Sequence, residues 1–177
     1  MLDGYEGAMP RKGEIVLSKA KPDSGAKSEF PLPRAAAETV LAFDFGEKFT
    51  GVAVGDSGLG IAHPLALITA EGKAVRMEQI AALVSEWKPG ALVVGLALSM
   101  DGTEHEMTRR CRRFARQLEA RFRLPVILVD ERLSSAAAEE ALRAVTKGGR
   151  KHKLHAHQVS AQIILQSYFD DPESPRS

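Results

Sequence analysis

The hydrophobic pattern changes period several times along this chain, and each change marks an element. Val40 to Phe45 is an apolar run interrupted once, by Asp44, and a second β-type run, Gly51 to Val54, follows a turn at Gly46. This spacing predicts a hairpin over about 39–46 and 50–56 whose first strand is buried. A third strand is expected over 60–69, bent or at an edge because it contains Pro64. Residues 74–88 switch to a helical period, with Val75, Ile80, Leu83, Val84 and Trp87 on one face, and Pro89–Gly90 ends the helix. Ala91 to Leu98 is unbroken and apolar, as a central parallel strand is. Thr103 and Glu106 form a capping-box pattern for a helix reaching Phe122, with Met107, Cys111, Phe114, Leu118 and Phe122 as its apolar stripe. A short strand is expected over 125–129, a helix over 134–144, a loop over 147–153 and a last helix over 156–170.

Three antiparallel strands followed by βαβαβ make a mixed five-stranded sheet with helices on both faces, an α/β domain. Residues 1–37 hold no sustained period and are rich in Gly, Pro, Ser and Lys, which reads as a disordered extension. The domain is expected over 38–171, with 172–177 as a flexible tail. The single cysteine, Cys111, allows no intramolecular disulfide and suits a reducing cytoplasm. No signal pattern or membrane-length apolar run is seen, so no membrane partner is expected.

Two strands carry acids where apolar residues would be expected. Asp44 lies in the first, and Asp130 and Glu131 end the fifth. A buried carboxylate costs several kcal/mol unless it is paired or holds a metal. Ligands gather at the carboxyl ends of strands in open α/β sheets, so Asp44 and Glu131 are candidates to share Mg²⁺ or Mn²⁺. Metals flanking a phosphodiester support in-line attack by water. The plainer readings are a turn-capping role for Asp44 and a salt bridge to Arg132 or a helix cap for Glu131. Asp101, in the segment MDGTE, reads as a helix-start cap more readily than as a further ligand.

The near-zero net charge of +1 hides two basic patches. One lies between Glu104 and Arg123, with seven Arg against three Glu; the other, between Lys147 and Lys153, has four basic residues and no acid. Such patches suit a polyanion, and arginine suits phosphate in particular. Lys48, Arg132, Lys147, Arg150, Lys151 and Lys153 are the candidate nucleic-acid contacts.

Four segments together resemble the YqgF/RuvX family of pre-16S rRNA nucleases and Holliday-junction-resolvase-like proteins. They are LAFDFGEKFTGVAVG (41–55), LVVGLALSMDGTE (92–104), VDERLSSAAAEEAL (129–142) and SAQIILQSYFD (160–170). The resemblance implies a ribonuclease H-like fold and a metal-dependent nuclease acting at the 5′ end of pre-16S rRNA. It implies Asp44 as the first-strand acid and Glu131 as the acid after the fifth strand. A third acid is usual in the family at the start of the last helix; here that position is His157. An imidazole in its place lowers the site's negative charge and favours Mn²⁺ over Mg²⁺. Asp44, Glu131 and His157 are thus the expected catalytic and metal-binding set.

Three alternatives stay open: a resolvase cutting a four-way DNA junction as a homodimer, a catalytically weak RNA-binding factor of ribosome assembly or transcription, and an actin-like phosphotransferase. The last matches the turn after Asp44, but two such domains are needed to enclose a nucleotide and the chain has length for one.

Overall fold

The computed structural model describes residues 15–17, 38–69, 72–99, 101–131 and 150–171. Its elements are β1 (Ile15–Leu17), β2 (Thr39–Phe45), β3 (Phe49–Asp56), β4 (Ile61–Thr69), α1 (Lys73–Trp87), β5 (Ala91–Leu96), α2 (Glu106–Phe122), β6 (Val126–Asp130) and α3 (Arg150–Asp170). The sheet order is β1-β4-β3-β2-β5-β6. β2, β3 and β4 pair antiparallel, whereas β2–β5 and β5–β6 are parallel. These are the five expected strands in the expected sense.

A sixth strand corrects the reading of 1–37 as wholly disordered. The triplet Ile15-Val16-Leu17 pairs antiparallel with Ala66–Ile68, and its β-branched and apolar residues suit that place. The register of β4 against β3 shifts beside Pro64, which puts the irregularity where the proline cannot serve a ladder.

Side chains alternate across the sheet and build two cores. Leu41, Phe43, Val52, Val54, Leu92 and Val94 meet α1 and α2 on one face. Val40, Ala42, Ala53 and Val93 meet Ala161, Ile164 and Leu165 of α3 on the other. Val75, expected on the buried face of α1, is exposed; the buried set is Arg76, Met77, Gln79, Ile80 and Leu83. The stripe through Cys111, Phe114 and Leu118 is buried as expected.

Two boundaries move. The capping box is not Thr103 with Glu106: His105 is the N-cap, and its N–H donates to Thr108 Oγ1 at 3.1 Å. Asp101 Oδ1 accepts from the Thr103 N–H and hydroxyl, tightening the turn before the helix. The expected loop over 147–153 is helical from Arg150 onward, because after Gly149 the sequence holds neither Gly nor Pro through Asp170. The helix expected over 134–144 and the tail over 172–177 lie outside the described residues.

Candidate active site

Asp44 stands one residue from the end of β2, on the face covered by α3, in register with Gly51 of β3. That pairing decides what sits next to it. With no side chain at Gly51, the backbone of α3 crosses close above β3: a Cβ there would lie 1.8 Å from the His157 carbonyl oxygen. The crossing sets His157 beside Asp44, and His157 Nδ1 lies 2.9 Å from Asp44 Oδ2. Both are partly buried, Asp44 more so, at 17% side-chain exposure against 35% for His157.

Glu131 directly follows β6. Parallel pairing of β2, β5 and β6 brings the ends of these strands to the same edge, so Glu131 and Asp44 stand on either side of β5. The residue between them on this face is Gly95, and a Cβ on it would lie 2.5 Å from Glu131 Oε1. Burial pushes the Glu131 carboxyl up to about 7, with the negative charges of Asp44 and then Asp130 adding to the effect. A carboxyl held up in this way marks a buried place where negative charge is poorly solvated and further acids add to the cost.

The structure therefore brings Asp44 and His157 into contact and sets Glu131 within reach of the Asp44 charge. Among the described residues, no three His, Cys, Asp or Glu side chains converge as a ready metal cage. The donor set nonetheless fits a divalent cation. Two carboxylates supply hard oxygen and one imidazole supplies nitrogen, and a cation would offset both the burial and the repulsion that raise Glu131. Cys111 does not compete for such a cation: it is 1% exposed, and burial pushes its thiol up, with Glu131 and Asp44 adding to the rise.

Residues 38–171 match the family model described as "RuvX: Holliday junction resolvase". The chain belongs to the RuvX family. A relative from Methylobacillus flagellatus, named "Putative pre-16S rRNA nuclease", is 56% identical over 142 residues, covering 78% of this chain and 97% of that protein. One of the same name from Nitrosomonas europaea is 52% identical over 136 residues, covering 77% and 92%. Among solved structures, "T. thermophilus RuvC in complex with Holliday junction substrate" superposes with a TM-score of 0.51 at 19% identity, over 76% of this chain and 94% of that one. That likeness supports the ribonuclease H-like fold.

The basic residues of this RuvX-family chain divide. Lys48 is exposed at the β2–β3 turn, four residues beyond Asp44. On α2, Arg109 and Arg110 pair with Glu106, Arg110 also with Glu47, Arg112 with Glu104, and Arg121 with Glu78. Arg113 and Arg116 are exposed and make no ion pair among the described residues. Arg132 and Lys147 lie outside the described residues; Arg150, Lys151 and Lys153 fall on the first turn of α3. No helix among the described residues is long and apolar enough to cross a membrane.

Sequence reasoning gave no role to Gly51 and none to Arg76. Gly51 reads as an ordinary small residue until the helix above it is known. Arg76 did carry a signal: it precedes Ile80 by four and Leu83 by seven, the spacing of a buried face.

Proposed function

We propose that the protein is a divalent-metal-dependent nuclease that hydrolyses phosphodiester bonds in structured nucleic acid, with the 5′ end of pre-16S rRNA as substrate. The observation that carries this reading is the gathering of Asp44, its partner His157 at 2.9 Å, and the buried Glu131 at one edge of the sheet, where the parallel strands end. Asp44, Glu131 and His157 would hold Mg²⁺ or Mn²⁺. Once bound, the cation supplies Lewis-acid charge at the phosphodiester and makes water a competent nucleophile near neutral pH. Asp44 and Glu131 bring negative charge to hold it. His157, hydrogen-bonded through Nδ1 to Asp44, keeps Nε2 for a ligand or a proton. Lys48, Arg132, Lys147, Arg150, Lys151 and Lys153 would engage backbone phosphates, and the work is placed in the cytoplasm, where ribosomal RNA matures.

A second substrate has a specific ground: the description of the matching family model names a Holliday junction resolvase. Cutting a junction symmetrically needs two active sites and hence a homodimer.

The deciding experiment incubates the protein with labelled precursor of small-subunit rRNA and, separately, with a four-way DNA junction. Each is tried with Mg²⁺, with Mn²⁺ and with chelator, beside Asp44→Asn. Metal-dependent cleavage of the RNA, absent in the variant, is expected. Cleavage of the junction alone moves the substrate to DNA. Salt-sensitive binding without cleavage in any metal overturns the nuclease and leaves an RNA-binding factor.

A further inference from the structure

Arg76 is a buried cation for which the chemistry above has no use. It lies in the first turn of α1 and is 9% exposed. Burying a guanidinium costs several kcal/mol, and an apolar side chain of similar length would fill the space without that cost. Packing alone therefore does not call for arginine here.

Its contacts lead to the end of β2. Nη2 of Arg76 donates to the carbonyl oxygen of Glu47, and its guanidinium carbon lies 5.0 Å from the centroid of the Phe45 ring. Phe45 in turn stacks on Phe114 of α2, with centroids 4.6 Å apart and planes at 24°. Arg110, also of α2, pairs with the Glu47 carboxylate. Phe45 is the residue after Asp44, and Glu47 stands at the turn that follows. The turn is thus gripped from α1 and α2 on one face of the sheet, while His157 of α3 holds Asp44 on the other.

We infer that Arg76 is a positioning residue for cleavage: by holding the Phe45 ring and the Glu47 carbonyl, it fixes the end of β2 and so the orientation of the Asp44 carboxylate. The cation–π contact and the carbonyl bond restrain the two residues that flank Gly46, the most permissive link in the segment. Only the kinetic consequence rests on the nuclease reading; the structural one does not.

The test compares Arg76→Met, Arg76→Gln and Arg76→Lys in the full chain. Methionine keeps the apolar length without the donor, glutamine is too short to reach Glu47, and lysine keeps a cation and a donor. The first readout, at one fixed pH, is the NMR shift of the Asp44 carboxyl carbon and of the His157 ring nitrogens. Both should move in Arg76→Met, and stay near the parent values in Arg76→Lys. The second readout is cleavage of the rRNA precursor, where kcat should fall about tenfold or more with KM little changed. If Arg76→Met does not fold, Arg76→Gln serves as the loss variant. Unmoved Asp44 and His157 signals in a folded loss variant overturn the inference, as does a loss in Arg76→Lys equal to that in Arg76→Met. A parent protein that cleaves nothing defeats the nuclease reading, while the NMR readout still decides the role of Arg76.

Discussion

Gly51 and His157 occupy space that only a glycine can share: the position of a Cβ on Gly51 is 1.8 Å from the His157 carbonyl oxygen and 2.9 Å from the Gln158 nitrogen. The obstacle is helix backbone, which cannot rotate aside as a side chain can. Gly51→Ala should therefore lift α3 from β3 and break the Asp44–His157 contact. Overpacking of this kind costs about 3 kcal/mol or more. Urea denaturation should report the loss, and an unchanged midpoint would mean that α3 does not cross here.

Gly95 makes a related case with a softer obstacle. The atoms that a Cβ would meet are Glu131 Oε1 and Ile164 Cδ1, each at 2.5 Å. Both are side-chain ends that can swing away. Gly95→Ala should thus cost less stability than Gly51→Ala, about 1–2 kcal/mol, yet displace the Glu131 carboxylate and lower cleavage sharply. Shortening the acid returns the room, so Gly95→Ala combined with Glu131→Asp should be more stable than Gly95→Ala alone. Equal stability of the two would show that the alanine does not press on Glu131.

Much of this frame was legible in the sequence, because period-2 and period-3.6 patterns report which face is buried. Asp44 and Glu131 stood out as acids at the ends of apolar runs, where burial demands a reason. The spacing put Arg76 on a buried face, but its role was not legible, since a helical face reads arginine as solvated unless an acceptor is known, and one acceptor is the backbone carbonyl of Glu47. The strand at 15–17 escaped for a similar reason: three apolar residues carry no measurable period, and their partner is more than forty residues away. The start of α3 was hidden because a run of basic and histidine residues gives no apolar stripe, although nothing in it opposes a helix.

Glu131 links stability to pH with a sign opposite to that of a salt-bridged acid. Its folded-state pKa is raised from 4.5 to about 7, so the folded protein binds the proton more tightly than the unfolded chain. No penalty exists below about pH 4.5. Stability falls as pH rises between 4.5 and 7, and is level above that, by on the order of 3 kcal/mol in total. Glu131→Gln removes the charge. Thermal denaturation in chelator should show the variant more stable than the parent above pH 7, with the difference closing toward pH 4.5. A constant difference across that window would contradict the raised carboxyl.

The arginines of α2 differ in what they are free to do. Arg109, Arg110, Arg112 and Arg121 already hold carboxylates, whereas Arg113 and Arg116 are exposed. Removing one arginine–phosphate pair should flatten the dependence of log affinity on log salt by about one. If both arginines touch the nucleic-acid backbone, replacing both with glutamine should lower the slope by about two. Cleavage at saturating substrate should be unchanged. A slope equal to that of the parent would place the substrate path elsewhere.

His157 stands where the resemblance leads one to expect an acid, and its replacement by aspartate tests what the imidazole does. A neutral nitrogen ligand adds no charge and is better suited to Mn²⁺ than to Mg²⁺. Aspartate would put a third carboxylate beside Asp44 and near Glu131, so the metal-free variant should melt below the parent through like-charge repulsion. Added Mg²⁺ should then stabilise the variant more than it stabilises the parent, because more repulsion is relieved on binding. The Mg²⁺ concentration for half-maximal cleavage should fall about tenfold, equivalent to roughly 1.4 kcal/mol of tighter binding, and the ratio of Mg²⁺ to Mn²⁺ activity should rise. The melting arm needs no activity, so it reads the site even where cleavage is slow. If His157→Asp leaves both the metal-induced melting shift and the metal preference as they were, then the imidazole is a partner of Asp44 alone and the cation is held without it.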